Sequence, residues 1–356
     1  MTTNPGTRST RAAGRALRLG GSLASVALTI AITLLGLVAL TFFIGRIVPI
    51  DPVLTIVGEK APPEVYDRVY RELGLDQPLI TQFLYYLRDI ARGDLGQSYT
   101  TDRAVLSDIL RFFPATFELA VLGIIIGVAL GVPAGVIAAV KRDTWVDHIV
   151  RIVALIGYSV PIFWLALMGL LVFYAKLQWV GGPGQLDIGY AYSYTRVTGF
   201  ILVDTALSGD WAVFANAVSH IALPALLIGY YSMAYISRMT RSVMLEQLSS
   251  EYVLAARIKG ASEYTVVVRH ALRNAAIPLV TIVALSFGGL LEGSVLIETV
   301  FSWPGLGNYI AQSLLGGDMN AVLGGTLVVG TIFVLLNVGS DLLYRLLDPR
   351  TKAAAQ

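Results

Sequence analysis

Six apolar segments alternate with polar ones along this chain, and each is long enough to form a membrane-spanning helix. The first contains 23 consecutive uncharged residues, from 22 to 44, and a helix of that length crosses about 30 Å of hydrocarbon. We therefore place the first transmembrane helix at residues 21–45. The other predicted spans are, in order, 115–139, 149–175, 220–236, 275–300 and 320–343.

The third segment contains Pro161, shortly after Gly157. Proline has no backbone N–H, and its ring clashes with the preceding turn of a helix. The sequence therefore predicts a kink or an irregular turn inside this span.

Lysine and arginine are concentrated in the short segments between alternate spans. Residues 1–20 hold four arginines and no acid, and further basic residues follow the second, fourth and sixth spans. Short loops rich in lysine and arginine remain in the cytoplasm. The pattern predicts that both termini are cytoplasmic, with a basic tail at 1–20 and a second tail at 345–356.

The segment 46–113 is predicted to form a small helical insert on the extracytoplasmic side. Pro62 and Pro63 favour the start of a helix, and apolar positions recur at helical spacing up to Gly74. A second amphipathic pattern leads from there to Gly93. The insert separates the first transmembrane helix from a larger transmembrane domain at 114–344, which contains the other five spans.

Four glycines recur at every fourth position of the second span, namely Gly123, Gly127, Gly131 and Gly135. This spacing places them on one helix face, where the backbone of another helix can approach closely. The chain contains 35 glycines, so single occurrences carry little weight. Four in register favour tight packing between two spans.

A basic stretch from Glu251 to Pro278 lies between the fourth and fifth spans. It predicts a helix, a break at Gly260 and a second helix, after which Pro278 is expected to begin the fifth span. Because it follows Arg238 and Arg241, which close the fourth span on the inside, the stretch should protrude into the cytoplasm. We interpret it as a surface through which another protein acts on the membrane part.

The composition agrees with a polytopic membrane protein. Hydrophobic residues make up 55% of the 356 residues and charged residues 14%, whereas soluble domains average about 25% charged residues. The mean hydropathy is +0.69. The chain has no cysteine, which excludes disulfides, thiolate metal sites and thiol catalysis.

Motifs for nucleotide hydrolysis and for common membrane enzymes are absent from the sequence. A P-loop needs a lysine followed by serine or threonine, and none of the five lysines has one. Neither an HExxH zinc motif nor a GxSxG elbow occurs. A pairing of Ser159 with His220 is the remaining hypothesis for an intramembrane enzyme, and the sequence gives it little support. No metal site is expected.

Acidic residues in or near the spans are costly unless they are paired or hydrated. Glu118 and Glu298 are expected near the outer boundary, where water reaches them. Glu292 lies deeper, in the fifth span. It either makes a structural hydrogen bond, which we favour, or faces a wet pathway and meets a substrate amine.

The stretch around Gly260 resembles the Glu-Ala-Ala loop of permeases of ATP-binding-cassette (ABC) importers. Ala255, Ala256 and Gly260 match the family pattern, whereas Leu254 stands in place of the glutamate. Further segments are similar to the oligopeptide, dipeptide and nickel branch of these importers. They are GLDQP at 74–78, GDLG at 93–96, YVLAARIKGAS at 252–262, ETVFSWPGLG at 298–307 and DLLYRLLDPR at 341–350.

This resemblance covers about residues 25–350 and implies an all-α membrane protein of the bacterial inner membrane. It implies six transmembrane helices, cytoplasmic termini and the type I ABC importer permease fold. The implied partners are a similar second permease subunit, two cytoplasmic ATPases, an extracytoplasmic substrate-binding protein and membrane lipid, without nucleic acid. ATP and magnesium would be bound by the ATPases, and no cofactor by this chain.

The resemblance also implies a coupling helix at about residues 251–262. The residues that it assigns to ATPase coupling are Glu251, Ala255, Ala256, Arg257, Lys259, Gly260 and Ala261. The small side chains suit a helix seated in a cleft on the ATPase. Arg257 and Lys259 would add ionic contacts at its rim.

The expected function is that of the membrane subunit of an ATP-driven importer of dipeptides or oligopeptides. Nickel, glutathione or another small solute is an alternative cargo of the same machinery. A stand-alone ion-coupled transporter belongs to a different class, and it would need membrane-embedded ionic relays and inverted repeats. The sequence shows neither clearly, and co-purification with two ATPase polypeptides would separate the two classes.

Overall fold

The computed structural model describes residues 27–46, 51–58 and 60–347, so the predicted tail at 1–20 and residues 348–356 lie outside the described part. Nearly all of the regular structure described is helical. The exception is a short antiparallel pair formed by β1 (Gln97–Ser98) and β2 (Arg103–Ala104) in the external insert.

The helices are labelled in chain order. Those of the first half are α1 (Ala27–Arg46), α2 (Pro52–Val57), α3 (Pro63–Glu72), α4 (Leu79–Ala91), α5 (Val105–Val140), α6 (Trp145–Ser159) and α7 (Ile162–Gly169), which continues as a π-helical segment, Leu170–Lys176. A short 3-10 turn (Ile188–Tyr190) precedes α8 (Ile201–Leu207), α9 (Trp211–Leu248) and α10 (Glu251–Ile258). A second π-helical segment (Thr265–Leu272) continues into α11 (Arg273–Gly293), followed by α12 (Val295–Val300), α13 (Leu306–Leu315) and α14 (Met319–Leu347).

Five continuous helical segments are long and apolar enough to cross a membrane, and the pair α6–α7 makes a sixth when it is counted as one span. The two halves of this pair are bent by 97°. The break lies at Val160, whose backbone is extended, and at Pro161. The predicted six spans and the predicted kink are thus confirmed.

Some helices extend beyond the predicted spans, because they continue past their apolar parts. Helix α5 begins at Val105, inside the segment predicted as external insert, and contains Pro114 in its interior. Helix α9 covers Trp211–Leu248 instead of 220–236. Hydropathy marks only the part of a helix that lies in lipid, so it misses the polar turns at either end.

The fifth span also begins earlier than the sequence predicts. The π-helical segment runs directly into α11, and Pro278 lies inside that helix instead of at its start. Within membranes, local π-helical geometry helps to satisfy the backbone groups that a proline leaves unpaired. The part of the cytoplasmic loop from Thr265 onward and the fifth span are therefore one continuous helical element.

The largest buried cluster lies where α5, α9 and α12 meet the external loop after α12. Trp303 is fully buried in this cluster with Phe301 and Leu119. The indole N–H of Trp303 donates a hydrogen bond to the Ala115 carbonyl oxygen at 3.1 Å. This contact fixes the external loop to α5.

The four glycines of α5 all lie against α9. A Cβ built on Gly127 would be 2.6 Å from the Ser232 Cβ, and one on Gly135 would be 2.6 Å from the Thr240 Cβ. Gly123 and Gly131 meet α9 in the same way, at Ile228 and Ile236. The two helix backbones are therefore closer together than any side chain at these positions would permit.

We predict that Gly127→Ala destabilises the protein, although alanine in a helix is normally more favourable than glycine by about 1 kcal/mol. The added methyl overlaps Ser232, and such overpacking costs about 1–3 kcal/mol. Gly36→Ala in α1 is the control, because among the described residues a Cβ at Gly36 would meet no atom within 4 Å. Thermal unfolding of the purified variants should show a lower midpoint for Gly127→Ala than for Gly36→Ala. Equal midpoints would contradict the close contact.

Candidate coupling site and its supports

The connection between α9 and the fifth span contains a sharp turn centred on Gly260. Gly260 has a φ of +80°, a left-handed conformation that glycine adopts without strain. Its N–H donates to the Arg257 carbonyl at 2.9 Å, and the Ala261 N–H donates to the Ala256 carbonyl at 3.1 Å. This pair of bonds is the Schellman arrangement that ends helices at a glycine. The break predicted at this residue is confirmed.

Two side chains hold the turn after the glycine. The hydroxyl of Ser262 accepts a hydrogen bond from the Thr265 N–H at 3.3 Å, which caps the next helix. Across the turn, the Arg257 guanidinium donates to both carboxylate oxygens of Glu263, at 2.9 and 3.2 Å. These bonds lower the pKa of Glu263. Arg257 is thus engaged within the turn and does not project freely from it.

One side of α10 is buried against its own chain. Val253 is fully buried, and Ala256 and Ala261 pack against the same cluster. That cluster includes Met244 from α9 and Val267 from the following π-helical segment. We call this unit, residues 251–264, the elbow. Because it packs on both neighbouring helices, the elbow cannot shift without displacing at least one of them.

The other side of the elbow is exposed and apolar. The exposed fractions are 58% for Leu254, 78% for Ile258 and 76% for Tyr264, and Ala255 and Lys259 are exposed beside them. The sequence pattern indicated the small residues of this stretch as the contact for the ATPase, and it did not indicate Leu254, Ile258 and Tyr264. The spacing of Leu254 and Ile258 could have indicated this apolar side, because residues four positions apart lie on the same face of a helix.

An ion pair between a buried carboxylate and a partly exposed arginine ties α9 to the start of α6. Arg241 donates to both carboxylate oxygens of Asp147 at 2.7 Å, and Asp147 is fully buried. Asp147 also accepts a hydrogen bond from the Asp143 N–H at 3.1 Å, which fixes the loop between α5 and α6. The sequence did not reveal this pair, because its partners are far apart along the chain.

At the external end, buried carboxylates hold the loops. The expectation that water reaches Glu298 is wrong, because its side chain is fully buried. It accepts hydrogen bonds from the Thr116 and Ser294 hydroxyls, both at 2.7 Å, and from the Asn308 N–H at 2.9 Å. Glu298 therefore joins α5, α12 and the start of α13.

Glu118 has a similar position and is also buried. It accepts hydrogen bonds from the Ile201 and Leu202 N–H groups, both at 2.9 Å, so it holds the start of α8. Nearby, Asp204 lies outside the spans. Burial raises the pKa of Asp204, but hydrogen bonds from Thr198 and Gly199 outweigh it, and the net shift is downward.

Glu292, the residue considered for a pathway, is exposed on α11. Among the residues that the structure describes, no partner forms the structural hydrogen bond that the sequence favoured. The neighbouring Gly293 and Ser294 line a cavity of about 350 Å³ at the break between α6 and α7. A pathway role for Glu292 stays a prediction.

The structure does not bring Ser159 and His220 together. The Nδ1 of His220 is 2.9 Å from the Asn216 carbonyl oxygen, and its Nε2 is 3.4 Å from an Asp187 carboxylate oxygen. Ser159 instead lines the cavity at the α6–α7 break. Within the described residues, no three His, Cys, Asp or Glu side chains are grouped as metal ligands would be.

Two known protein families match the sequence of this chain. The family described as "Binding-protein-dependent transport system inner membrane component" matches residues 131–353. A second family, described as the N-terminal part of the membrane component of such systems, matches residues 23–120. The chain belongs to the inner-membrane permeases of binding-protein-dependent transport systems. The permease is accordingly a multi-pass inner-membrane protein and a transport component.

Relatives of the permease match over nearly their whole length. It is 44% identical to the di/tripeptide transport system permease protein of Pseudomonas aeruginosa (strain UCBPP-PA14), over 90% of this chain and 95% of that one. It is 42% identical to the probable D,D-dipeptide transport system permease protein of Escherichia coli (strain K12), over 88% of this chain and 92% of that one.

A solved structure supports the fold. The inward-facing MetNI methionine ABC transporter contains a chain that superposes with a TM-score of 0.51 and 19% identity. The match covers 67% of the permease and 96% of that chain. The all-α fold of a type I importer permease, implied by the sequence resemblance, is confirmed.

We predict that Asp147→Asn destabilises the permease by about 2 kcal/mol, because it weakens the charge-assisted hydrogen bonds from Arg241, whose side chain is partly exposed. Asp143→Asn is the matched control, since its pair with Arg142 is exposed and exposed pairs contribute about 1 kcal/mol or less. Thermal unfolding should separate the two variants clearly. Equal stability would show that the Asp147 pair contributes little.

Proposed function

We propose that the permease is one of two membrane-spanning subunits of an ATP-driven importer of short peptides. The second subunit would be a similar permease. Two cytoplasmic ATPases would bind the elbows, and an extracytoplasmic protein would deliver the substrate. ATP and magnesium would reside on the ATPases, because this sequence has no P-loop.

The observation that carries the proposal is the exposed apolar side of the elbow. Leu254, Ile258 and Tyr264 would be unfavourable in water, and a contiguous exposed apolar patch usually marks a protein contact. The opposite side of the elbow is packed on the bundle through Val253. A partner seated on the exposed side would therefore act on α9 and α11 together.

The mechanism follows from this attachment. When ATP brings the ATPases together, each elbow would be displaced as a rigid unit, since its turn is closed by backbone bonds and by the Arg257–Glu263 pair. The displacement would rock the spans between outward-open and inward-open arrangements. ATP hydrolysis on the ATPases would thus displace the elbow, and the elbow would displace the transmembrane helices.

A peptide cargo is supported by the relatives, whose names specify D,D-dipeptides and di/tripeptides. Nickel complexes and glutathione remain alternative cargoes for the same machinery. Uptake into proteoliposomes that contain the reconstituted complex would decide among them. We expect ATP-dependent uptake of dipeptides or tripeptides, and uptake of nickel or glutathione alone would contradict the peptide assignment.

We predict that Ile258→Asp weakens binding of the ATPases to the membrane subunits. Burying an isoleucine side chain contributes about 1.5–3 kcal/mol, so the affinity should fall by at least tenfold, and uptake should fall with it. The measurement is the amount of ATPase that co-purifies with the tagged permease.

Ile188→Asp supplies the control for co-purification, because Ile188 is 91% exposed but lies in the external loop before α8. It should leave ATPase binding unchanged. Gly260→Pro, or a bulky residue at Ala256, should instead disturb the elbow itself and uncouple ATP hydrolysis from uptake without preventing membrane insertion. Normal uptake by these variants, or equal ATPase binding by Ile258→Asp, would contradict the proposal.

A further inference from the structure

A groove of about 450 Å³ opens between α6 and the C-terminal half of α9. Its lining contains three arginines, Arg151, Arg238 and Arg241, and no acidic residue. The remainder of the lining is mainly apolar, with Ala154 and Leu155 on one wall and Leu245 on the other. The groove is therefore basic where the three arginines lie and apolar along the rest of its lining.

The three arginines are held in different ways. Arg241 is fixed by Asp147, as described above. The Arg238 guanidinium lies over the Tyr158 ring, 5.1 Å from its centre, and 5.9 Å from the centre of the Tyr235 ring. A guanidinium stacked on aromatic rings keeps the N–H groups at its edge available to an anion.

Arg151 and Arg238 are exposed, and in the described part of the chain neither donates a hydrogen bond to another residue. Asp147, which lies beside the groove and interacts electrostatically with Arg151 as well, already accepts two hydrogen bonds from Arg241. Among the described residues, the side chains of Arg151 and Arg238 thus have no hydrogen-bonded counter-ion. An anion entering the groove would supply it.

Helix length and an interfacial aromatic residue favour a position of the groove near the cytoplasmic surface of the bilayer. Helix α9 has 38 residues and is about 57 Å long, far more than the roughly 30 Å of hydrocarbon, so its basic end must leave the apolar layer. Trp145 begins α6 and is 73% exposed, as is typical of aromatic residues at the membrane interface. Arg151 lies about 9 Å further along the same helix.

We propose that the groove binds an anionic phospholipid of the cytoplasmic leaflet. The phosphate of the headgroup lies between Arg151 and Arg238, and an acyl chain follows the apolar wall at Leu155. Basic pockets between membrane helices on the cytoplasmic side are suited to such headgroups. The same arginines would attract a free phosphate or a peptide carboxylate, but neither of these would use the apolar wall.

The test uses the complete importer, purified in detergent, stripped of lipid and titrated with phosphatidylglycerol while bound lipid is counted by native mass spectrometry. We expect retention of phosphatidylglycerol over the zwitterionic phosphatidylethanolamine. Arg151→Gln with Arg238→Gln should weaken retention by roughly thirtyfold, and Arg151→Gln alone by roughly fivefold. Lys141→Gln with Arg142→Gln removes two cytoplasmic charges outside the groove and should leave retention unchanged.

Assembly of each variant is checked by size-exclusion chromatography, and the exposed single variant Arg151→Gln keeps the test valid if the double variant fails to assemble. Equal retention by the groove and control variants would overturn the proposal. Displacement of the lipid by equimolar inorganic phosphate or dipeptide would assign the site to a soluble anion instead. A wild-type complex that retains no phosphatidylglycerol would show that another subunit covers the groove.

Discussion

The close contact between α5 and α9 is the constraint on which the rest of the structure depends. Four glycines give α5 a face without side chains, and α9 fills it with residues that include Ile228, Ser232 and Thr240. Association of helices in lipid lacks a hydrophobic driving force and relies on van der Waals packing and interhelical hydrogen bonds. Small residues along the whole contact therefore make these two long helices a single unit.

That unit connects the two surfaces of the membrane. At its external end, Glu118 and Thr116 on α5 hold the starts of α8 and α13 through buried hydrogen bonds. At its cytoplasmic end, α9 leads directly into the elbow, and Arg241 holds α6 through Asp147. A displacement of the elbow can thus reach the external loops through α5 and α9, because these two helices are packed together along their length.

The sequence was sufficient for features that depend on local rules. The register of Gly123 to Gly135 shows in the spacing alone, the turn at Gly260 follows from its neighbours, and Pro161 marks the bend in the third span. Each of these features can be inferred from the residues of a single segment, without knowledge of contacts to the rest of the chain. The resemblance of residues 252–262 and 298–307 to importer permeases then indicated the family correctly.

Features that depend on long-range contacts could not be predicted in this way. Glu298 is buried in contact with Thr116, which is 182 residues away along the chain. Asp147 and its partner Arg241 are 94 residues apart. Hydropathy also placed the start of the fifth span too late, because it cannot detect a helix that continues through polar residues. The exposed side of the elbow was missed because only packing shows that Val253 faces inward and Ile258 outward.

Because α5 and α9 are packed along their length, we expect them to move together when ATP is hydrolysed. The chain has no cysteine, so spin labels can be attached at Ile137→Cys on α5 and Ser242→Cys on α9 and measured by double electron–electron resonance. We predict that the distance between the labels is the same in the nucleotide-free and the ATP-trapped complex. A shift of about 5 Å, one helical turn of sliding, would show that α5 and α9 move separately.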